Sequence, residues 1–299
     1  MAMDTRTSLD DDRIGGFRVV RTLHAGVTSM VIEVVQDSIG KRFAIKQLLE
    51  SRAEDPSERR AFGFEARIGL ALNHPNLVRY HEYFKDPDAP YIVMDFFPGR
   101  HLKLAISKPQ DYPWLREKLH PILTQAATGL AYMHDQGWIH RDIKPENIMS
   151  NKLGEVRVID YTITRRPVSG LGALFQKKMK ARQGTASYMS PEQIDLATPT
   201  VASDIYSLGC TCYELACGRP PFRANSTGEL LGKHRREQPA PPSMHNKDVT
   251  PEFSELILQT LKKDPAARPA DLREFLARFS RFRVYNDDPP PSASPGFSG

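Results

Sequence analysis

His140-Arg141-Asp142-Ile143-Lys144-Pro145-Glu146-Asn147-Ile148-Met149 places a carboxylate, a cation and an amide within a few positions of one another, at Asp142, Lys144 and Asn147. Together these groups can orient a hydroxyl, neutralise a phosphate and coordinate a hard metal ion. A lone His-Arg-Asp would be an ordinary surface charge run. The longer string is not, because each added residue of the required chemical type makes coincidence less credible.

The chain around this stretch has 299 residues, 40% apolar and 26% charged, enough for one large domain or two lobes with separate cores. Its 41 basic and 36 acidic residues leave a net charge of +5, too small an excess to imply nucleic-acid binding. Cys210, Cys212 and Cys217 are odd in number and sit in one apolar stretch. They fit neither a disulfide framework nor a zinc site, and read as buried thiols in a reducing compartment. No run approaches a membrane span, and MAMDTRTSLDDDR lacks the apolar segment of a signal peptide, so a cytoplasmic location is expected.

FRVVRTL, MVIEVVQ and KRFAIKQLL, followed after a helical segment by LVRYHEYF and YIVMDFF, predict five antiparallel strands with one main helix, SERRAFGFEARIGLAL. From about residue 115 the pattern turns helical. Leu115, Leu119, Ile122, Leu123, Ala126, Leu130 and Met133 form an apolar stripe in which Pro121 is read as lying near a first turn. The expected class is α+β, with a small sheet lobe over about 17–95 and a larger helical lobe over about 98–283. Residues 1–16, ending at Gly15-Gly16, and 284–299, rich in Pro, Ser and Gly, are expected to be flexible tails.

The string HRDIKPEN resembles the catalytic loop of protein kinases, and further motifs recur in that family's order from Lys46 to Arg268. The chain is thereby similar to bacterial eukaryotic-like Ser/Thr protein kinases. The resemblance implies a two-lobed fold, ATP and Mg²⁺ (or Mn²⁺) as cofactors, and a protein substrate with a Ser or Thr acceptor. Phe43-Ala44-Ile45-Lys46 matches VAIK, which gives Lys46 the nucleotide phosphates and Glu65, nine residues before His74, the task of orienting it. Asp142, Lys144 and Asn147 take the catalytic roles, and Asn147 with Asp160 would hold the metal. Gly26, Val31, Ala44, Asp95, Phe97 and Met149 would surround the nucleotide.

Three departures from the family pattern stand out. Of the glycine-rich loop only Gly26 and Val31 keep register, with His24 and Ser29 at other positions. Asp160-Tyr161-Thr162 replaces Asp-Phe-Gly, and threonine there is expected to stiffen the hinge, since it tolerates unusual backbone angles poorly. Ser190 replaces alanine in GTASYMSPE, the string beginning at Gly184. Lys144 with Thr185 is the pairing of kinases that act on Ser and Thr. Asp204 is expected to support the catalytic loop, and Arg268 to pair with Glu192.

Residues 170–184 contain no Ser, Thr or Tyr, while 161–191 carry Arg165, Arg166, Lys177, Lys178, Lys180 and Arg182 and, before Glu192, no acid. Either the segment is a flexible, solvated loop whose charges only aid solubility, or an acidic partner, an acidic substrate or the Asp10–Asp12 tail is expected to order it. The competing functional reading is a pseudokinase, a nucleotide-binding scaffold that His24, Ser29 and Thr162 would favour. A small-molecule phosphotransferase fits less well, because Gly184-Thr185 and Ser190-Pro191-Glu192 resemble a peptide-binding platform.

Overall fold

The computed structural model describes residues 13–166 and 184–289. They form two compact units, one built from residues up to 73 with 78–98, the other from 74–77 with 99 onward. Among the described residues no helix is long and apolar enough to cross a membrane.

The first unit is a six-stranded antiparallel sheet in the order β1-β2-β3-β4-β6-β5, made of Arg13–Ile14, Phe17–Ala25, Ser29–Gln36, Lys41–Leu48, Tyr91–Asp95 and Tyr80–Phe84. Strand alternation sends Ile32, Val34, Phe43, Ile45 and Val93 to one face, where with Phe17 and Tyr91 they form a core. Each such side chain contributes about 1.5–3 kcal/mol on burial. On the other face Glu33 is buried yet paired with both Arg21 and Arg42, so its charge is not stranded.

The sequence predicts five strands; the structure adds β1. Ile14 pairs with Phe17 across Gly15-Gly16, and Gly15 has φ of +57°. A Gly-Gly pair between extended residues is a hairpin turn, and reading it as the end of a tail missed that. A Cβ on Gly15 would also meet the Tyr91 hydroxyl at 2.4 Å. The fold therefore reaches back to Arg13, while residues 1–12 lie outside the described part. Helix α2 (Pro56–Ala71) is capped by Asp55, whose side chain accepts from the Ser57 amide, and a short helix, α1 (Glu50–Ala53), precedes it.

In the second unit α4 (Tyr112–Asp135) follows α3 (Leu102–Ser107) and buries the whole predicted stripe. Pro121 lies well inside α4 rather than near its start, and the helix runs through it. Burial on both sides of the proline outweighs its local cost of about 3 kcal/mol. Residues 74–77 join this unit because the Asn76 carbonyl accepts from the Val158 amide at 2.8 Å and its side chain reaches Gln125. A small sheet, β7 (Arg100–His101), β8 (Ile148–Ser150) and β9 (Val156–Val158), carries the catalytic-loop sequence.

The central helix α6 (Val201–Cys217) follows α5 (Pro191–Ile194) and is buried along nearly its full length. Gly209 on it is dictated by packing, since a Cβ there would stand 1.9 Å from Thr260 Oγ1 of α9 (Pro251–Thr260). The remaining helices are α7 (Thr227–Arg236), α8 (Pro242–His245) and α10 (Leu272–Phe279). The chain does not leave the fold at 283: Val284 and Tyr285 are buried, Tyr285 bridges to Val249, and Arg116 lies 4.1 Å over the Tyr285 ring while pairing with Asp248 and Asp287. Residues 290–299 lie outside the described part.

His234 of α7 is fully buried, with Nδ1 3.0 Å from the Tyr206 hydroxyl and its ring edge-on to Phe222. Burial, helped by Lys263, pulls its pKa down from 6.5 to about 3. The folded chain thus keeps this imidazole neutral while the unfolded chain protonates it below about pH 6.5. Stability is present above that pH and is lost as pH falls toward the folded value, by about 2 kcal/mol at pH 5 from this group. Unfolding free energies from urea titrations at pH 7 and pH 5 should differ less, by roughly that amount, in His234→Gln than in the native chain.

Candidate active site

In the first unit Lys46 on β4 and Glu65 on α2 form an ion pair, Nζ to Oε1 2.6 Å, with both side chains largely shielded from water. Glu65 Oε1 also accepts from the Tyr80 hydroxyl at 2.9 Å. Two donors on one buried carboxylate offset its desolvation and fix its direction. Tyr80 reaches it across Gly69, where a Cβ would stand 2.1 Å from the Tyr80 ring. Gly69, which weakens the helix locally, is thus required by the packing of the tyrosine that helps hold Glu65.

Val31 faces Lys46 in the β3–β4 register, and Ala44, buried, faces Met94 in the β4–β6 register. Gly26 opens the turn between β2 and β3: its amide donates to Ser29 carbonyl oxygen at 2.9 Å, and an added Cβ would lie 3.0 Å from that same oxygen. Asp95 ends β6, donates its amide to Arg79 and receives His81 Nε2 at 2.8 Å on its carboxylate. His81 in that role carried no signal in the sequence. Phe97, half-buried, follows the strand.

In the second unit Asp142 is the hub. Its Oδ1 accepts the Thr185 amide and hydroxyl, each at 3.0 Å, and its Oδ2 accepts Lys144 Nζ at 2.6 Å and Asn147 Nδ2 at 3.2 Å. Lys144 Nζ also donates to Thr185 Oγ1 at 2.7 Å. The predicted Lys144–Thr185 pairing is therefore a direct bond, 41 residues apart in the chain. Asn147 donates to the Asp142 carbonyl as well, at 2.8 Å, which commits its amide nitrogen and turns the amide oxygen, its acceptor, the other way.

Asp160 is brought beside this group by β9: the Ile159 amide donates to the Asn147 carbonyl at 2.9 Å. Among the described residues no cluster of three or more His, Cys, Asp or Glu could cage a metal alone. Asp160 and Asn147 nevertheless supply two hard oxygen donors, which fits Mg²⁺, an ion that keeps waters and shares its sphere with phosphates. In Asp160-Tyr161-Thr162 the unusual backbone angle does not fall on Thr162. The positive φ, 71°, belongs to Asp160 itself, and Thr162 is not among the residues with positive φ. Aspartate tolerates that region because its side chain bonds the local backbone. Met149 lies on β8 opposite His101 and Arg157.

The catalytic-loop backbone is held from below. Asp204, fully buried, accepts the His140 and Arg141 amides, each at 2.8 Å, and His134 Nε2 at 2.8 Å. Burial alone would raise its carboxyl pKa; His134 and these donors hold it below the ordinary value. Glu192 and Arg268 form the expected pair, bidentate at 2.8 and 3.0 Å. Ser190 proves to be the N-cap of α5 in a reciprocal capping box with Gln193, whose Nε2 also donates to the Arg141 carbonyl at 3.0 Å. The serine is thus a capping choice. Arg141 is buried with its guanidinium donating to the Ile163 carbonyl, and burial together with the nearby Arg165 lowers its pKa. Ser169, Lys177, Lys178, Lys180 and Arg182, with the acidic tail expected to meet them, lie outside the described residues.

A family model described as the protein kinase domain matches residues 17–278. Among curated proteins, the chain is 38% identical over 242 residues to the serine/threonine-protein kinase PknB of Mycolicibacterium smegmatis, covering 79% of this chain and 38% of that one. It is 34% identical over 261 residues to a probable serine/threonine-protein kinase of Streptomyces coelicolor, covering 86% and 38% respectively. The PknB of Mycobacterium tuberculosis strain H37Rv is 34% identical over 251 residues, 83% of this chain and 39% of that one. The match thus spans about two fifths of the length of these relatives.

The Gly69–Tyr80 contact can be tested directly. Gly69→Ala gains about 1 kcal/mol of helix propensity, yet should destabilise the chain by about 1–3 kcal/mol through overpacking. In a Tyr80→Ala background, urea unfolding should show the same change to be neutral or stabilising.

Proposed function

The chain belongs to the protein kinase family, and we propose that it transfers the γ-phosphoryl group of ATP to serine or threonine hydroxyls of a protein substrate. The observation that carries this reading is the four-donor cradle around Asp142, with Lys144 bonded to Thr185 at 2.7 Å. Asp142 orients the acceptor hydroxyl and takes its proton late in transfer. Lys144, already beside that carboxylate, neutralises charge on the moving phosphoryl group. Thr185 fixes both, and a hydroxyl there favours an aliphatic Ser or Thr acceptor over a tyrosine.

The family uses ATP with a divalent cation, and we assign Mg²⁺ to Asp160 and Asn147, which present oxygen donors. When bound, the ion neutralises phosphate charge and aligns the leaving oxygen. Lys46, oriented by Glu65, holds the nucleotide's phosphates. Gly26, Val31, Ala44, Asp95, Phe97 and Met149 are proposed to surround the nucleotide. Cys210, Cys212 and Cys217 carry no disulfide, and burial raises each thiol pKa, which suits a reducing, cytoplasmic setting.

Transfer of label from γ-labelled ATP to the chain itself and to a generic basic protein tests the reading. Lys46→Met and Asp142→Ala should each lower transfer by roughly 10²- to 10⁴-fold in protein that still folds, although both should unfold at lower urea than the native chain, because Glu65 loses its buried cation in one and four donors lose their acceptor in the other. Background labelling in the native chain and both variants alike would replace this reading with that of a nucleotide-binding scaffold.

A further inference from the structure

Thr162 occupies the glycine position of the Asp-Phe-Gly pattern that this segment resembles, and its hydroxyl is engaged. Thr162 Oγ1 donates to Asp160 Oδ1 at 2.5 Å, and the Thr162 amide donates to the same oxygen at 3.1 Å. Any residue but proline at this position would supply the amide bond; only a hydroxyl supplies the other. Two donors converging on one carboxylate oxygen restrict rotation of the side chain about its Cα–Cβ and Cβ–Cγ bonds. The same bonds support the left-handed backbone of Asp160, φ 71°.

The backbone leading into Asp160 is fixed as well. The Ile159 amide donates to the Asn147 carbonyl at 2.9 Å, and the Ile159 carbonyl faces His140 Nε2 at 3.2 Å. With main chain and carboxylate both held, the direction in which Asp160 presents its charge is set by the protein before any cation arrives. Glycine would keep only the amide bond and hold that last rotation less firmly.

We propose that Thr162 is a positioning residue whose hydroxyl holds the Asp160 carboxylate in the orientation that receives the divalent cation. This rests on the assignment of Asp160 as a metal ligand. Residues hydrogen-bonded to metal ligands commonly tune affinity through orientation. Thr162 is exposed, so water competes for the bond and the effect is modest.

The test measures Mn²⁺ binding by electron paramagnetic resonance in the presence of a non-hydrolysable ATP analogue, with thermal unfolding as a check on folding. Thr162→Val keeps shape and amide but removes the hydroxyl, and should weaken Mn²⁺ binding by about two- to tenfold. Thr162→Gly should weaken it at least as much. Thr162→Ser should bind as the native chain does, and Asp160→Ala should abolish the tight site. Native affinity in Thr162→Val or Thr162→Gly, with loss in Asp160→Ala, overturns the proposal and leaves the metal assignment standing. Equal losses in Thr162→Val and Thr162→Ser also overturn it, because the hydroxyl would not be the cause. Native affinity in Asp160→Ala overturns the metal assignment and this proposal together.

Discussion

The Asp204 carboxylate, closed off from water at the start of α6, is what the catalytic loop stands on. A buried charge of this kind is tolerable only when its oxygens are saturated, and here two consecutive main-chain amides and one imidazole do that. The arrangement has a conformational consequence. Arg141 adopts a φ of 74°, a region that costs a non-glycine residue about 1–2 kcal/mol, and the amide bond to Asp204 and the Gln193 bond to its carbonyl hold it there. That turn sets where Asp142 begins. Gly184, at φ 111° and with an added Cβ only 3.2 Å from the Arg141 carbonyl, lets the segment at Thr185 come close enough to bond Asp142.

A similar solution serves the first unit at smaller scale. Glu65 is buried, takes Lys46 and the Tyr80 hydroxyl on one oxygen, and depends on a glycine, Gly69, for the approach of its neutral partner. In both units a carboxylate is removed from water, satisfied by groups far away in sequence, and used to fix the direction of a functional side chain. The recurring physical device is a satisfied buried charge, whose value lies in its geometric demands more than in net stability.

The departures from the family pattern also gain reasons. Ser190 supplies a helix cap, and Thr162 supplies a hydroxyl to Asp160 where glycine would supply conformational freedom. His24 and Ser29 flank a turn whose closure depends on Gly26, the one glycine of the loop that keeps register, because its amide must reach the Ser29 carbonyl without a Cβ in the way. A single retained glycine is sufficient for that turn.

Strand alternation, the apolar stripe of α4 and the ordered motifs from Lys46 to Arg268 were legible because they are local: period, residue type and spacing survive in a linear string. The extra strand β1 was written there too, in Gly15-Gly16, but its turn chemistry gains meaning only once Phe17 is known to be extended and Ile14 has it as a partner. Pro121 inside α4 and the buried segment at Val284-Tyr285 were misplaced because local propensity and composition argued one way and burial decided the other. The sequence by itself determined the fold class, the order of the main elements and the residues proposed to carry chemistry. Tertiary structure alone decided which distant donors meet Glu65, Asp142 and Asp204, and that Gly69 serves Tyr80. Such choices depend on distance differences of a few tenths of an ångström between groups separated along the chain, and no local pattern encodes those.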